Sequence, residues 1–253
     1  MFLHTLNAEW TKLVTTRSFW WTTALFLFFG LGWAAVVGNV TLEAEEGIPT
    51  LLPGITVVAV YMVGFTVLMI QAIMVITTEY RYGLQGATYL ATPRRWLVVL
   101  AKLLLYTVLA LVLTFATVFL CFYVAKLMAP PLAGELFTPL SDDTARRILW
   151  VYPAAAGLLV LFSQGVALLL RQTAGSVALV LIWFMGLESA FLLIPEVGAD
   201  IVRYLPFENL TAFVNNSPIE DLAWGAGGSG LYFLAWSAVL WVGGLVMLER
   251  RDA

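Results

Sequence analysis

The chain has 253 residues, of which 61% are hydrophobic and only 11% are charged, and its mean hydropathy is +0.91. An average soluble domain carries about 25% charged residues, so this composition excludes an ordinary soluble domain and predicts a helical membrane protein. The net charge of −3 and the pI near 5.2 argue against nucleic acid as a partner, because phosphate binding needs a concentrated basic face.

Residues 1–18 predict an amphipathic elbow helix that lies in the membrane interface and turns into the first span. Its apolar residues recur at spacings of three and four. They are Phe2, Leu6, Trp10, Leu13 and Val14. A Trp on the apolar side, with Lys12 and Arg17 before the first apolar run, is typical of interfacial helices. A soluble helical cap is the alternative.

Six apolar stretches are long enough to cross a bilayer as helices. They cover residues 19–37, 55–76, 96–124, 148–170, 175–194 and 229–248. The third is longer than a bilayer requires, so it is either tilted or begins in the interface. The predicted fold is therefore an all-α membrane protein, with residues 1–253 forming a single transmembrane domain.

Lysine and arginine residues predict the orientation, because they are enriched on the cytosolic side of membranes. With both termini in the cytosol, the residues inside are Lys12, Arg17, Arg81, Arg94, Arg95, Lys102, Arg171, Arg250 and Arg251. Those outside are Lys126, Arg146, Arg147 and Arg203. We therefore expect a multi-pass plasma-membrane protein with cytosolic termini and a cytosolic loop over residues 77–95. Lys102 and Arg171 lie near span ends, where snorkelling to the interface explains them.

The predicted outer segments are longer than simple turns. Residues 195–228 mix apolar side chains with two prolines, which predicts an outer hairpin of short helices that partly re-enter the membrane. Residues 141–144, Ser-Asp-Asp-Thr, precede another apolar run and predict a helix start with its cap.

The chain carries no recognisable catalytic machinery. No lysine follows the phosphate-loop pattern G-x-x-x-x-G-K-[ST], so ATP cannot bind in that manner. His4 is the only histidine and Cys121 the only cysteine, which leaves no Ser-His-Asp triad in the apolar bulk, no His-rich metal site and no internal disulfide. We expect a non-catalytic chain without a cofactor or metal of its own.

Glu188 is an ionisable residue deep in a predicted span, about 20 Å along the fifth helix at about 1.5 Å per residue. An intramembrane carboxylate is costly, and it indicates either a translocation path or a structural role. The structural role would be hydrogen bonding to the outer helices or a pair with Arg203. Gln71 and Gln164 are weaker signals of the same kind, and both can hold helices together.

The loop between the second and third spans carries an ordered pattern of residues. In chain order these are Glu79, Tyr80, Arg81, Gly83, Thr88, Pro93, Arg94, Arg95, Ala101 and Lys102. The order resembles the cytosolic loop of type-2 ABC export permeases, especially those of high-GC Gram-positive bacteria. Glu9, Trp10 and Lys12, followed by Arg17, look like the amino-terminal elbow of the same family.

This resemblance implies a permease subunit of an ATP-binding-cassette exporter. Such a subunit pairs with a second copy or a paralogue in the membrane lipid, and with two cytosolic ATPase subunits that bind ATP and Mg²⁺. A coupling helix over residues 79–92 would dock on the ATPases. The charged residues that contact the ATPase surface would be Glu79, Arg81, Arg94 and Arg95. A glycine would let the two chains approach each other closely, and a proline would end the helix. A hydrophobic or amphipathic cargo, as in multidrug efflux, is implied.

Other functions stay open at this point. An intramembrane lipid-modifying enzyme would use Glu188 and the outer acidic residues, but it lacks a metal constellation and a paired intramembrane acid. A membrane protein that sequesters a peptide without turnover, as in immunity, would need no ATPase. For the loop itself, positive charge that only enforces topology is the alternative to coupling.

Overall fold

The computed structural model describes residues 2–42, 51–91 and 94–251. Within these ranges the chain is helical and contains no strand, which confirms the predicted all-α fold. The α-helices are α1 (Phe2–Thr15), α2 (Arg17–Val40), α3 (Pro53–Thr56), α4 (Phe65–Arg81), α5 (Gln85–Ala91), α6 (Arg95–Met128), α7 (Pro131–Leu136), α8 (Asp143–Leu170), α9 (Thr173–Ile182), α10 (Glu188–Ala190), α11 (Gly198–Val202), α12 (Pro206–Asn215) and α13 (Ala226–Arg251).

Six helical stretches are long and apolar enough to cross a membrane, in agreement with the number of spans that hydropathy predicts. They are Arg17–Val40, Val60–Arg81, Arg95–Met128, Asp143–Leu170, Thr173–Leu193 and Ala226–Arg250. Asp143–Leu170 is the most buried, because 67% of the residues in its most apolar part are buried. For the last two stretches the corresponding shares are 17% and 22%. The outward apolar side chains of those two need nonpolar surroundings, which a bilayer supplies.

The fifth of these stretches is not a regular helix throughout. α9 ends at Ile182, and a widened helical turn follows over Trp183–Leu187. Within this turn Gly186 has a φ of 148°, which a residue without a Cβ adopts readily. The irregular turn brings the side chains of Trp183 and Glu188 into hydrogen-bonding distance.

α8 begins where the sequence predicts a helix start. Asp142 immediately precedes the helix, and its Oδ1 accepts a hydrogen bond of 2.8 Å from the backbone N–H of Ala145. A short side chain thereby satisfies one of the backbone donors that every helix leaves free at its start. The predicted cap is confirmed.

The chain divides into two compact units. The first unit consists of Met1–Thr15, Met69–Val108 and Gly157–Ala253, and the second of Thr16–Leu68 and Leu109–Ala156. In the first unit the ring centroid of Phe162 lies 5.0 Å from that of Phe207 and 5.5 Å from that of Phe233. In the second unit the buried ring of Phe26 packs against Gly64.

Two glycines of the first unit let α8 and α13 approach each other closely. A Cβ built on Gly165 would lie 2.8 Å from the backbone nitrogen of Trp241. A Cβ on Gly244 would lie 2.6 Å from the Cβ of Leu168. Small residues at such contacts are common between membrane helices, because close backbone packing replaces the hydrophobic driving force that lipid removes.

We expect Gly165→Ala to destabilise the protein by about 1–3 kcal/mol, because the backbone of α13 would have to move. Gly32→Ala is the matched control, since a Cβ on Gly32 meets no described atom within 4 Å. Thermal unfolding of the purified protein in lipid nanodiscs measures both. Equal unfolding temperatures for the two variants would contradict the close contact.

Candidate functional site

Two glutamates and two lysines meet in the first unit and form what we call the ion cluster: Glu9, Lys12, Glu79 and Lys102. The Nζ atom of Lys102 lies 2.6 Å from Oε2 of Glu9 and 3.1 Å from Oε1 of Glu79. The Nζ atom of Lys12 lies 2.7 Å from Oε1 of Glu9 and 2.8 Å from Oε1 of Glu79. Each lysine therefore contacts both carboxylates, and the charges balance.

Three helices supply the ion cluster. In α1 the buried residues are Thr5, Glu9 and Leu13, which follow one another at every fourth position and so share one face. Glu79 comes from the last turn of α4, and Lys102 from the beginning of α6. The cluster thus joins three segments that are far apart in sequence.

Burial makes these contacts consequential. The side chains of Glu9 and Lys102 are 5% and 6% exposed, and that of Glu79 is 11% exposed, whereas that of Lys12 is 47% exposed. A buried charge costs several kcal/mol unless an opposite charge and hydrogen bonds compensate for it. Loss of any one member therefore leaves a buried charge without full compensation.

Lys12 stays charged in this environment. Partial burial lowers the pKa of Lys12, but its hydrogen bonds and charge interactions with Glu79 and Glu9 outweigh that effect and hold the pKa above its ordinary value. A raised lysine pKa gives stabilisation that is fully present at neutral pH and is lost only as the pH rises through that pKa.

The ion cluster corrects two interpretations drawn from the sequence. Lys102 does not snorkel to the interface, because it is buried and its Nζ is held by two carboxylates and by the carbonyl of Val75 at 3.3 Å. Glu79 is not an exposed contact residue for a partner, because its carboxylate points inward and contacts the two lysines. The spacing of residues in the sequence of one helix does not show that Lys102 is buried or that Glu79 points inward.

α5 follows α4 after a sharp turn. Gly83 in this turn has a φ of 67°, in the left-handed region that favours glycine, while a Cβ there would meet no described atom within 4 Å. The glycine therefore serves the turn itself. From α5, the Oγ1 atom of Thr88 lies 3.5 Å from Nζ of Lys12, which connects the helix to the ion cluster.

Aromatic residues provide a second attachment of α5, in addition to the contact between Thr88 and Lys12. The hydroxyl oxygens of Tyr80 and Tyr89 are 3.3 Å apart. The guanidinium carbon of Arg95 lies 5.3 Å from the centroid of the Tyr89 ring, within the range of a cation–π contact. Tyr89 therefore lies between the end of α4 and the start of α6.

Two further residues of the loop pattern, Arg81 and Arg94, are exposed. Three large apolar side chains close to them in the sequence, Tyr82, Leu84 and Leu90, are also exposed. We call Tyr82, Leu84 and Leu90 the α5 apolar patch. Pro93, which we predict to end the helix, lies outside the described residues.

Part of the apolar surface of α1 faces outward, although Leu13 is buried. Leu3 and Trp10 are exposed, while Glu9 is buried, and Arg17 is exposed at the start of α2. A helix that caps a soluble protein buries its apolar face. The exposed Leu3 and Trp10 in α1 favour contact with lipid over a soluble cap.

Glu188 is buried and holds the beginning of α12. Its Oε1 accepts hydrogen bonds from Nε1 of Trp183 at 2.6 Å and from the backbone N–H of Phe207 at 3.0 Å. Its Oε2 accepts a hydrogen bond of 2.7 Å from the backbone N–H of Glu208. A carboxylate in this position satisfies free helix donors and interacts favourably with the helix dipole. Of the two structural contacts that the sequence suggests, the structure contains the one to the outer helices, while Arg203 pairs with Asp200.

The two glutamines lie in different helices. Gln71 in α4 and Gln164 in α8 are both buried. Neither polar atom of the Gln164 amide has a hydrogen-bond partner among the described residues. Gln164 therefore makes no helix-joining hydrogen bond within the described part of the chain.

Sequence reasoning missed part of the site. It dismissed Lys102 although the residue closes the loop pattern, and it did not consider that Tyr89 binds Tyr80. The signal for Lys102 was its position about two turns into an apolar helix, too deep for an unpaired lysine. The sequence carries no comparable signal for Tyr89, because the turn at Gly83 brings Tyr89 next to Tyr80.

The fold and site together define a multi-pass, all-helical membrane protein. No protein-family model matches the chain, and no curated protein matches it.

We expect Lys102→Met to lower the free energy of unfolding by about 3–5 kcal/mol, because it leaves two buried carboxylates facing one lysine. Lys126→Met is the matched control, since the Nζ of Lys126 donates to a neutral carbonyl, that of Phe137. Denaturant unfolding in mild detergent measures both. Adding Glu9→Gln to Lys102→Met should recover part of the loss, and equal stability of the two single variants would contradict the cluster.

We expect Glu188→Gln to destabilise the protein by about 1–3 kcal/mol, because the amide offers one acceptor oxygen in place of two and carries no charge. Glu188→Ala should cost more, since it leaves three donors without their acceptor. Glu196→Gln, at an exposed glutamate, serves as the control and should change stability by less than about 0.5 kcal/mol. Unfolding measured by the fluorescence of the tryptophans tests the series, and an unchanged Glu188→Ala variant would disprove the capping role.

Proposed function

We propose that the chain is the transmembrane permease subunit of an ATP-binding-cassette exporter. It would move a hydrophobic or amphipathic substrate across the plasma membrane, using ATP and Mg²⁺ bound on separate ATPase subunits. The observation that carries this proposal is the placement of α5, a short helix outside the candidate spans that is fixed to three other helices on one side and exposed on the other.

The inner side of α5 has the contacts that transmission of a force requires. Thr88 connects it to Lys12 of α1, and Tyr89 connects it to Tyr80 of α4 and Arg95 of α6. Because the ion cluster binds α1, α4 and α6 to one another, a push on α5 reaches helices that continue into candidate spans. A loop whose charges only enforce topology would not need these contacts.

The outer side of α5 has the composition of a docking surface. The α5 apolar patch is exposed, and Leu90 is 86% exposed. Arg81 and Arg94, close to it in the sequence, are exposed as well. Exposed apolar side chains accompanied by arginines suit the apolar core and polar rim of a protein interface. A partner surface with an apolar cleft and acidic edges would be complementary.

The other parts of the chain have roles consistent with this function. α1, with Trp10 outward and Glu9 inward, would be the interfacial elbow before the first span. α11 and α12 would be the short outer helices of a re-entrant hairpin, with α12 held by Glu188. A second copy or a paralogue would complete the membrane domain, and both termini would be cytosolic.

The contacts of Glu188 favour the permease over a lipid-modifying enzyme. Both carboxylate oxygens are engaged by three N–H donors of the same chain. A general acid or base must exchange a proton with its substrate. Glu188 would first have to release α12, so a structural role fits its geometry better.

Leu90→Asp is expected to abolish co-purification of an ATPase with the tagged full-length chain from its native host. A charge in the centre of an apolar interface costs at least about 2 kcal/mol, or about 30-fold in affinity. Leu140→Asp is the matched control, because Leu140 is also an exposed leucine but lies in a predicted outer segment. The captured protein must carry a phosphate-binding loop and hydrolyse ATP.

Two results would contradict the proposed function. One is that the wild-type chain retains no such ATPase in mild detergent. The other is that Leu90→Asp and Leu140→Asp retain equal amounts of it. A sequestering membrane protein predicts the first result.

A further inference from the structure

Arg171 occupies an unusual backbone position. It directly follows α8, it has a φ of 52°, and its N–H donates a hydrogen bond of 2.8 Å to the carbonyl of Ala167. The left-handed position at the end of a helix favours glycine or asparagine, and other residues adopt it at a conformational cost. An arginine in this position suggests that its side chain compensates for that cost.

The Arg171 side chain contacts two further helices. Its guanidinium carbon lies 5.4 Å from the centroid of the Tyr80 ring at the end of α4. Its Nη2 donates a hydrogen bond of 3.2 Å to the carbonyl of Met247, near the carboxyl end of α13. A cation is favoured there because the helix dipole is negative at that end. Arg171 therefore connects α4 to α13.

Tyr80 extends this connection to α5. Its hydroxyl oxygen is 3.3 Å from that of Tyr89, whose ring is covered by Arg95. Burial, together with the hydrogen bond to Tyr80, raises the pKa of the Tyr89 phenol, so this hydroxyl keeps its proton at neutral pH. An unbroken series of contacts thus runs from α5 through Tyr89, Tyr80 and Arg171 to α13.

The turn that carries Arg171 is also bonded to α4 directly. The Oγ1 atom of Thr173 donates a hydrogen bond of 2.8 Å to Oγ1 of Thr77. The turn between α8 and α9 is therefore held at two points one helical turn apart on α4, Thr77 and Tyr80. Such a turn moves with the end of α4.

We propose that Arg171 is a positioning residue that passes a displacement of α5, through Tyr89 and Tyr80, to the carboxyl end of α13. The link itself is a property of this chain, and its use in transport rests on the proposed function. In that function an ATPase pushing on α5 would move α13 as well as α1, α4 and α6. Snorkelling to the interface, which the sequence suggested for Arg171, does not account for its contacts with α4 and α13.

Hydrogen–deuterium exchange of the full-length chain in lipid nanodiscs tests the link without any partner. Arg171→Gly removes the side chain and suits the left-handed backbone, so the turn should survive. We expect amides of residues 85–90 in α5 and 247–250 in α13 to exchange about threefold to tenfold faster, the factor expected for loss of one cation–π contact. Asn216→Gly is the matched control, because Asn216 has a φ of 57° after α12.

A second variant perturbs the series from its other end. Tyr89→Phe removes one hydroxyl and keeps the ring, and it should speed exchange at residues 247–250 as well as in α5, because coupling between two sites is reciprocal. Tyr82→Phe, at an exposed phenol, is its control. The link is overturned if Arg171→Gly changes exchange only in α13 and Tyr89→Phe changes it only in α5.

The co-purified ATPase separates this inference from the proposed function. With ATP and Mg²⁺ added, the Arg171→Gly complex should keep its ATPase and its exchange change in α5 but lose the change at residues 247–250. A change there equal to that of wild type would overturn the role of Arg171. If wild type binds no ATPase, the proposed function fails, and the measurements on the chain alone still decide the link.

Discussion

The buried ion cluster of Glu9, Lys12, Glu79 and Lys102 is the constraint on which the arrangement of the first unit depends. Two negative and two positive charges balance, and each Nζ contacts both carboxylates. Because an uncompensated charge is costly in a buried environment, α1, α4 and α6 must meet in the one register that brings all four groups together. The cluster also explains why α1 turns Glu9 inward.

α5 depends on this cluster without belonging to it. The helix has only seven residues, too few to be stable by itself in water. Thr88 and Tyr89 fix one side of it to the cluster and to the aromatic side chains, which leaves the α5 apolar patch outward. A helix that is held firmly on one side and is apolar on the other is suited to receive a partner and to pass on its movement. This is the physical basis of the proposed coupling role.

Three polar residues in or next to the candidate spans are used in different ways. Glu188 is engaged in starting α12, and Arg171 in joining α4 to α13. Gln164 is buried without a hydrogen-bond partner among the described residues, and it precedes Gly165, where α8 and α13 approach closely. A polar side chain in or next to a span thus does not by itself indicate a substrate path, since two of these three are explained by contacts within the chain.

The sequence by itself determined the class of fold, because a backbone in lipid must satisfy its own hydrogen bonds and a long apolar run can do so only as a helix. It also determined the cap of α8, since Asp142 acts on a donor three residues away. Only the tertiary structure decided which charges meet. Glu9 and Lys102 are 93 residues apart, and local spacing cannot show that one compensates for the other. The inward turn of Glu79 and the position of Tyr89 follow from the same meeting of helices, which is why the loop pattern was recognisable while the roles of its residues were not.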